Sequence, residues 1–106
     1  AYFAATDVGL YPSDDSEYFQ AASPIKIYEY TAAGKHVVLS KLGEIMALGW
    51  PNLIAKRPEV DDFACGICEA AERCRKPFPP PPGLANHDWD VIAKTVDNTL
   101  ARLLPQ

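Results

Sequence analysis

The apolar residues of this chain fall into two alternating patterns. Three short runs, Val8-Gly9-Leu10-Tyr11, Val37-Val38-Leu39 and Leu53-Ile54-Ala55, predict strands over residues 7–11, 35–40 and 52–56. Between and after them, apolar positions recur at helical spacing. The consecutive apolar residues of the second run suit a strand covered on both faces, as in a parallel sheet. Strands alternating with helices predict an α/β domain: a short parallel sheet with right-handed crossovers, flanked by helices in three layers.

The helical segments have readable ends. Residues 1–6 read as the tail of a helix continued from upstream sequence, because the chain opens on Ala1-Tyr2-Phe3-Ala4-Ala5 without a methionine. Residues 12–23 form a long polar loop. Residues 41–50 are ambiguous, with Ile45, Met46, Leu48 and Trp50 placed for a short helix that Gly49-Trp50-Pro51 ends. Pro58 opens the best-formed helix, with Glu59, Asp61 and Asp62 at its start and Arg73, Arg75 and Lys76 at its end, which suits the dipole. Val60, Phe63, Ala64, Ile67, Ala71 and Cys74 are its expected buried stripe. Domain 1–76 then gives way to a proline-rich connector over residues 77–87. Pro77-Phe78-Pro79-Pro80-Pro81-Pro82 cannot continue a helix and reads as an extended spacer of about 3.1 Å per residue. A ligand for a proline-reading domain is the alternative, but no basic specificity signal flanks it. Asp88 caps a closing helix over residues 88–106, with Trp89, Ile92, Val96, Leu100 and Leu103 as a stripe that a missing neighbour would leave partly exposed.

The candidate chemistry lies in the helix between the first two strands. Ser23 is expected as its N-cap, Pro24 as its first residue and Gly34 as its stop. Its third position carries Lys26 where a capping box would have an acid, so a cation sits at the partly positive helix end and costs roughly 0.3–1 kcal/mol. Free amide groups, a fixed dipole and an ammonium together suit an anion, best a phosphate or diphosphate. Glu29, about 4.5 Å further along the axis, is placed for sugar hydroxyls. The alternative is an exposed surface pair.

Ser23-Pro24-Ile25-Lys26, Glu29-Tyr30, Ala32-Ala33-Gly34-Lys35 and Val37-Val38 resemble the donor-site segment of retaining group 1 glycosyltransferases with two Rossmann-like domains, the GT-B architecture. The preceding Thr6-Asp7-Val8-Gly9-Leu10-Tyr11-Pro12-Ser13 is similar to the strand and loop that lead into it, and the resemblance extends to a closing helix near His87-Asp88-Trp89-Asp90. It implies a Rossmann-like half-domain from the C-terminal part of such an enzyme. There Ser23, Pro24, Ile25 and Lys26 would face the diphosphate of a nucleotide-sugar and Glu29 its ribose. It also implies that no metal is obligatory. The implied partners are the N-terminal Rossmann-like domain of the same enzyme, which holds most of the acceptor site, and in the intact enzyme an acceptor that is membrane-associated in some members. The chain alone is expected to be inactive. Two departures stand out. Many members pair two glutamates with seven residues between them, but Ala21 stands at the matching position, eight before Glu29; Glu17, twelve before it, replaces the acid only if its loop folds back. The family commonly has Pro where this chain has His36, a difference read as structural.

Composition narrows the alternatives. A chain of 106 residues, 48% hydrophobic and 23% charged, is one domain at most. Net charge is −4, and its ten Lys and Arg residues form no basic stripe, which argues against nucleic acid as a partner. Without a spanning apolar run or a signal-peptide layout, a cytoplasmic location is expected. Asp14, Asp15 and Glu17 are an acidic cluster open to metal or acid–base work but read better as a solvated loop. Cys65 and Cys68 have redox spacing, yet fall about two turns into a helix, far from the dipole that would lower a thiol pKa. With Cys74 projecting to the other side, no single ion collects all three, so reduced thiols are expected, Cys74 in the core and Cys65 nearer solvent. His36 and His87 lack ligand-like neighbours in sequence. A non-catalytic nucleotide- or phosphosugar-binding module is the main alternative function, and a small redox protein a weaker one.

Overall fold

The computed structural model describes residues 2–105. In chain order it contains α1 (Tyr2–Ala5), β1 (Val8–Tyr11), α2 (Glu17–Gln20), α3 (Ile25–Ala32), β2 (His36–Ser40), α4 (Gly43–Met46), β3 (Leu53–Lys56), α5 (Val60–Arg73), a 3-10 turn (Leu84–His87) and α6 (Trp89–Leu103). The strands form one parallel sheet in the order β1-β2-β3. All five residues of β2 are buried, as its unbroken apolar pattern requires of a strand covered on both faces. Val37 and Leu39 face α3 and α4, meeting Ile27, Leu42 and Ile45. Val38 faces α5 and meets Ile54 and Ala70. Each fully buried Val, Leu or Ile contributes about 1.5–3 kcal/mol.

The chain enters α3 differently from the sequence expectation. Pro24, at ψ 126°, holds the N-cap position, and no side chain caps the helix. Ser23 does not cap because its hydroxyl is shared with the Tyr28 hydroxyl at 2.7 Å. Lys26 is therefore the second helical residue, not the third. The other end matches: Gly34, at φ 75°, donates to the Thr31 carbonyl while Lys35 donates to that of Tyr30, a Schellman closure. The expected loop of residues 12–23 contains the single turn α2, capped when the Ser16 hydroxyl accepts from the Phe19 amide. The helix expected over residues 1–6 is present as α1, with Ala1 outside the described residues.

Helix α5 corrects the expected stripe. Val60 is 86% exposed, and Ala64, Ile67, Ala71 and Cys74 are exposed too; the buried residues are Gly66 and Ala70. The cause is close approach. A Cβ on Gly66 would stand 2.8 Å from the Val38 side chain and 2.7 Å from that of Lys56, so only a small residue lets the helix lie on the sheet. Cys74 is outside the core, its thiol donating to the Ala71 carbonyl at 3.0 Å. In α6 the cap is as expected, Asp88 accepting from the Asp90 amide, but of the stripe only Ile92 is half-buried and Trp89 is 70% exposed. The connector is docked, not free: Phe78 packs on His36 at 4.9 Å, Pro81 is buried, and the Trp50 indole N–H donates to the Pro82 carbonyl at 3.3 Å.

Gly9, on the edge strand, has no room for a side chain, since its Cβ would stand 2.6 Å from Cγ of Tyr30. Gly9→Ala should destabilise by about 1–3 kcal/mol in chemical denaturation, as overpacking does. A Tyr30→Leu background should recover part of that loss. Gly34→Ala, whose Cβ meets nothing within 4 Å, should cost only about the 1 kcal/mol of a left-handed backbone.

Candidate functional site

The carboxyl ends of parallel strands are where open α/β sheets place ligands. Here the segment leaving β1 passes through α2 and returns at the tip of α3. Tyr11, Tyr18, Phe19, Ala21, Ala22, Ser23 and Pro24 enclose a hollow of about 480 Å³ against that tip. The fold-back is pinned by Gln20, whose amide donates to the Lys41 carbonyl at 2.8 Å and accepts from the Gly43 amide at 3.1 Å. With no side-chain cap, the Ile25 and Lys26 amides have no acceptor within the helix. No acidic residue occupies the first turn, so the Lys26 ammonium stands unopposed within it.

Two further hollows continue from there. Ser23, Ile25, Tyr28, His87, Trp89 and Ile92 line one of about 220 Å³. The next, of about 300 Å³, shares Ile25, Tyr28, His87 and Trp89 with it and adds Glu29. The three thus form a trail along the flank of α3 from Ser23 to Glu29. Its wall is aromatic: Tyr28 meets the His87 ring at 4.6 Å and Trp50 at 5.5 Å.

The predicted site residues divide along this trail. Ser23 and Pro24 line its first hollow, Ile25 the second and third, and Glu29 the third. Lys26 is exposed and lines none of the three. Glu17 opens α2 and is also exposed; its neighbours Tyr18 and Phe19, not its own side chain, line the first hollow. Asp14 accepts from the Ser16 amide, and the bonds from Ser16 hold its carboxyl below the usual range. Asp62 is held low by the Arg57 amide, which donates to it at 2.7 Å. Sequence reasoning missed Tyr11, Tyr18 and Phe19 as walls and His87 as part of the aromatic lining. The chain return at α2 brings Tyr18 and Phe19 to α3 beside Tyr11, and the docked 3-10 turn brings His87; neither has a periodic signal.

Cys65, Cys68 and Cys74 are free and exposed. Among the described residues, no three His, Cys, Asp or Glu side chains are grouped to hold a metal ion, and no helix is long and apolar enough to cross a membrane. No protein-family model, curated protein or solved structure matches the chain.

His36 lies away from the trail, at the start of β2. It is 7% exposed, and its Nδ1 is buried without a partner. Burial first, then the Arg73 guanidinium, holds its pKa below the usual 6.5, against the raising effect of the Lys76 and Asn52 backbone groups. The unfolded chain takes up a proton near 6.5 that the folded one resists. His36 therefore leaves stability intact above about pH 6.5 and erodes it as pH falls toward the lowered folded value. Urea midpoints at about pH 7.5 and pH 5.5 should show a smaller acid loss in His36→Gln than in the parent chain.

Proposed function

We propose that this chain is the C-terminal part of the donor-binding domain of a retaining GT-B glycosyltransferase, its three-stranded sheet being part of a Rossmann-like half-domain. The intact enzyme would move a sugar from a nucleotide donor to an acceptor. One observation carries the reading: an uncapped helix start, with a lysine in its first turn, opens on a hollow at the carboxyl end of β1. The resemblance of the segment from Ser23 to Val38 agrees with it.

In this reading the Ile25 and Lys26 amides and the Lys26 ammonium receive the diphosphate at the tip of α3. Glu29, about one turn on, accepts hydrogen bonds from the ribose in the hollow beside His87 and Trp89. Ser23 and Pro24 shape the entrance. As the bond to the sugar breaks, negative charge gathers on the leaving diphosphate. Fixed amide dipoles at the helix tip, joined by the ammonium of the exposed Lys26 swinging over it, would stabilise that charge in the transition state. Lys26 and the helix amides supply that stabilisation with no metal required. Glu17, whose loop does fold back, remains on the solvent side of α2, so the paired-acid arrangement of many family members is not reproduced by it. Acceptor binding falls to another domain, and the chain alone should turn over no sugar.

Titration of the chain with uridine, guanosine and adenosine diphosphates, followed calorimetrically, tests the reading. Saturable binding should weaken about tenfold in Lys26→Ala and in Glu29→Ala, the scale of one charged hydrogen bond. Unchanged thermal unfolding should accompany both, since both side chains are exposed. Indifference of binding to both substitutions, or no binding at all, would leave a scaffold without a donor site.

A further inference from the structure

The outer face of α5 carries a pair of side chains that neither the core nor the donor reading uses. Cys65 and Cys68 lie within one uninterrupted helix, Val60–Arg73, and both are free, exposed thiols. At about 100° per residue they stand roughly 100° and 160° round the axis from Gly66, the residue pressed against Val38 of the sheet. Cysteine is among the side chains most often buried. Two of them on a solvent face add nothing to packing and offer only the chemistry of sulfur.

The spacing selects that chemistry. Residues three apart on a helix hold their Cβ atoms about 5–6 Å apart, whereas a disulfide needs about 3.5–4.5 Å. Both cysteines are inside the helix, so closing the gap would distort its backbone. A metal ion bridging two thiolates needs no such closure: with bonds of about 2.3 Å, sulfurs on opposite sides of one ion stand about 4.6 Å apart. Two ligands are all that the face provides. Cys74 follows the last turn, half a revolution from Cys65, and its thiol donates to the Ala71 carbonyl at 3.0 Å. Glu69 is engaged by Lys56 at 3.3 Å and by Arg73. Among the described residues, no third His, Cys, Asp or Glu joins the pair as a ligand cluster. Structural zinc takes four ligands, and calcium and magnesium take oxygen. A soft monovalent cation is satisfied by two thiolates in line.

We propose that Cys65 and Cys68 form a two-coordinate site for a soft monovalent cation, with Cu(I) as the physiological ion. The ion displaces both thiol protons, Cu⁺ + 2 RSH → [Cu(SR)₂]⁻ + 2 H⁺, and neither copper nor sulfur changes oxidation state. Helix α5 covers the face of the sheet opposite α3, so the site is independent of the donor reading.

The test is anaerobic titration of the reduced chain with Cu(I) against the chromogenic chelator bathocuproine disulfonate, with sedimentation equilibrium of the product. One ion should bind per chain, and the chain should stay monomeric. Cys65→Ser and Cys68→Ser should each weaken binding at least about a hundredfold, the loss of an intramolecular second ligand, while Cys74→Ser should leave it unchanged. All three thiols are exposed, so thermal unfolding of the metal-free variants should match the parent chain. Below the thiol pKa of about 8.5, affinity should rise about a hundredfold per pH unit, because two protons leave for each ion bound. Lys26→Ala should not alter Cu(I) binding, which separates this outcome from the fate of the donor site. The proposal fails if the chain takes no ion from the chelator, if Cys74→Ser weakens binding as much as the other two substitutions, if one ion joins two chains, or if affinity rises only about tenfold per pH unit.

Discussion

The structure depends on one strand being covered everywhere. β2 is paired on both edges, through Val8–Tyr11 on one side and Leu53–Lys56 on the other, and its side chains are buried on both faces. A buried backbone tolerates no unpaired amide or carbonyl, so this position forces two neighbours in register and a helix layer on each face. On one face α3 and α4 satisfy it with large apolar residues. On the other, α5 does so by coming close, which requires Gly66 over Val38. The edge strand β1 shows the same economy, with Gly9 lying beneath the Tyr30 ring.

That constraint also fixes α3, the helix on which the proposed donor site rests. Its last turns are held from within: the Asn52 amide donates to the Thr31 hydroxyl at 2.8 Å and to the Lys35 carbonyl at 3.0 Å, and Thr31 donates to the Ile27 carbonyl. Asn52 also begins the approach to β3, its own carbonyl accepting from the Val37 amide. One buried amide side chain thus ties the C-terminal end of α3 to both crossovers. The tip is left without a cap, and only the Ser23–Tyr28 hydroxyl contact shapes its entry. A helix anchored at one end and open at the other presents its dipole to whatever occupies the space beyond.

Much of this could be read from the residues. The three strands, their parallel order and Gly34 as a stop follow from uninterrupted apolar runs and one glycine, signals that local physics makes strong. The stripe of α5 could not, because hydrophobic periodicity ranks residues by size while a helix pressed onto a sheet selects for smallness. Cys74 went astray for the same reason. Ser23 was misplaced because a serine before a proline looks like a cap, and its competing partner, Tyr28, becomes visible only once α3 has formed. The site was legible as a cation-bearing helix start, but neither the missing cap nor the walls were. Tyr11, Tyr18 and Phe19 reach it through Gln20, whose amide joins two loops 21 residues apart in sequence.

The closing segment is fixed at one end only. Trp50 and His87 bring the connector and the 3-10 turn onto α3, at 5.8 Å from each other and both against Tyr28. This fixes where α6 starts. It does not give α6 a surface to bury, and no residue of that helix is buried. Isolated helices of its 15 residues are marginal in water, and α6 has a cap at Asp88 but an apolar stripe with little cover among the described residues. The same aromatic contacts put Trp89 and His87 beside Glu29. The first turn of α6 is therefore part of the wall of the hollow at the flank of α3, and the position of that helix bears on its shape.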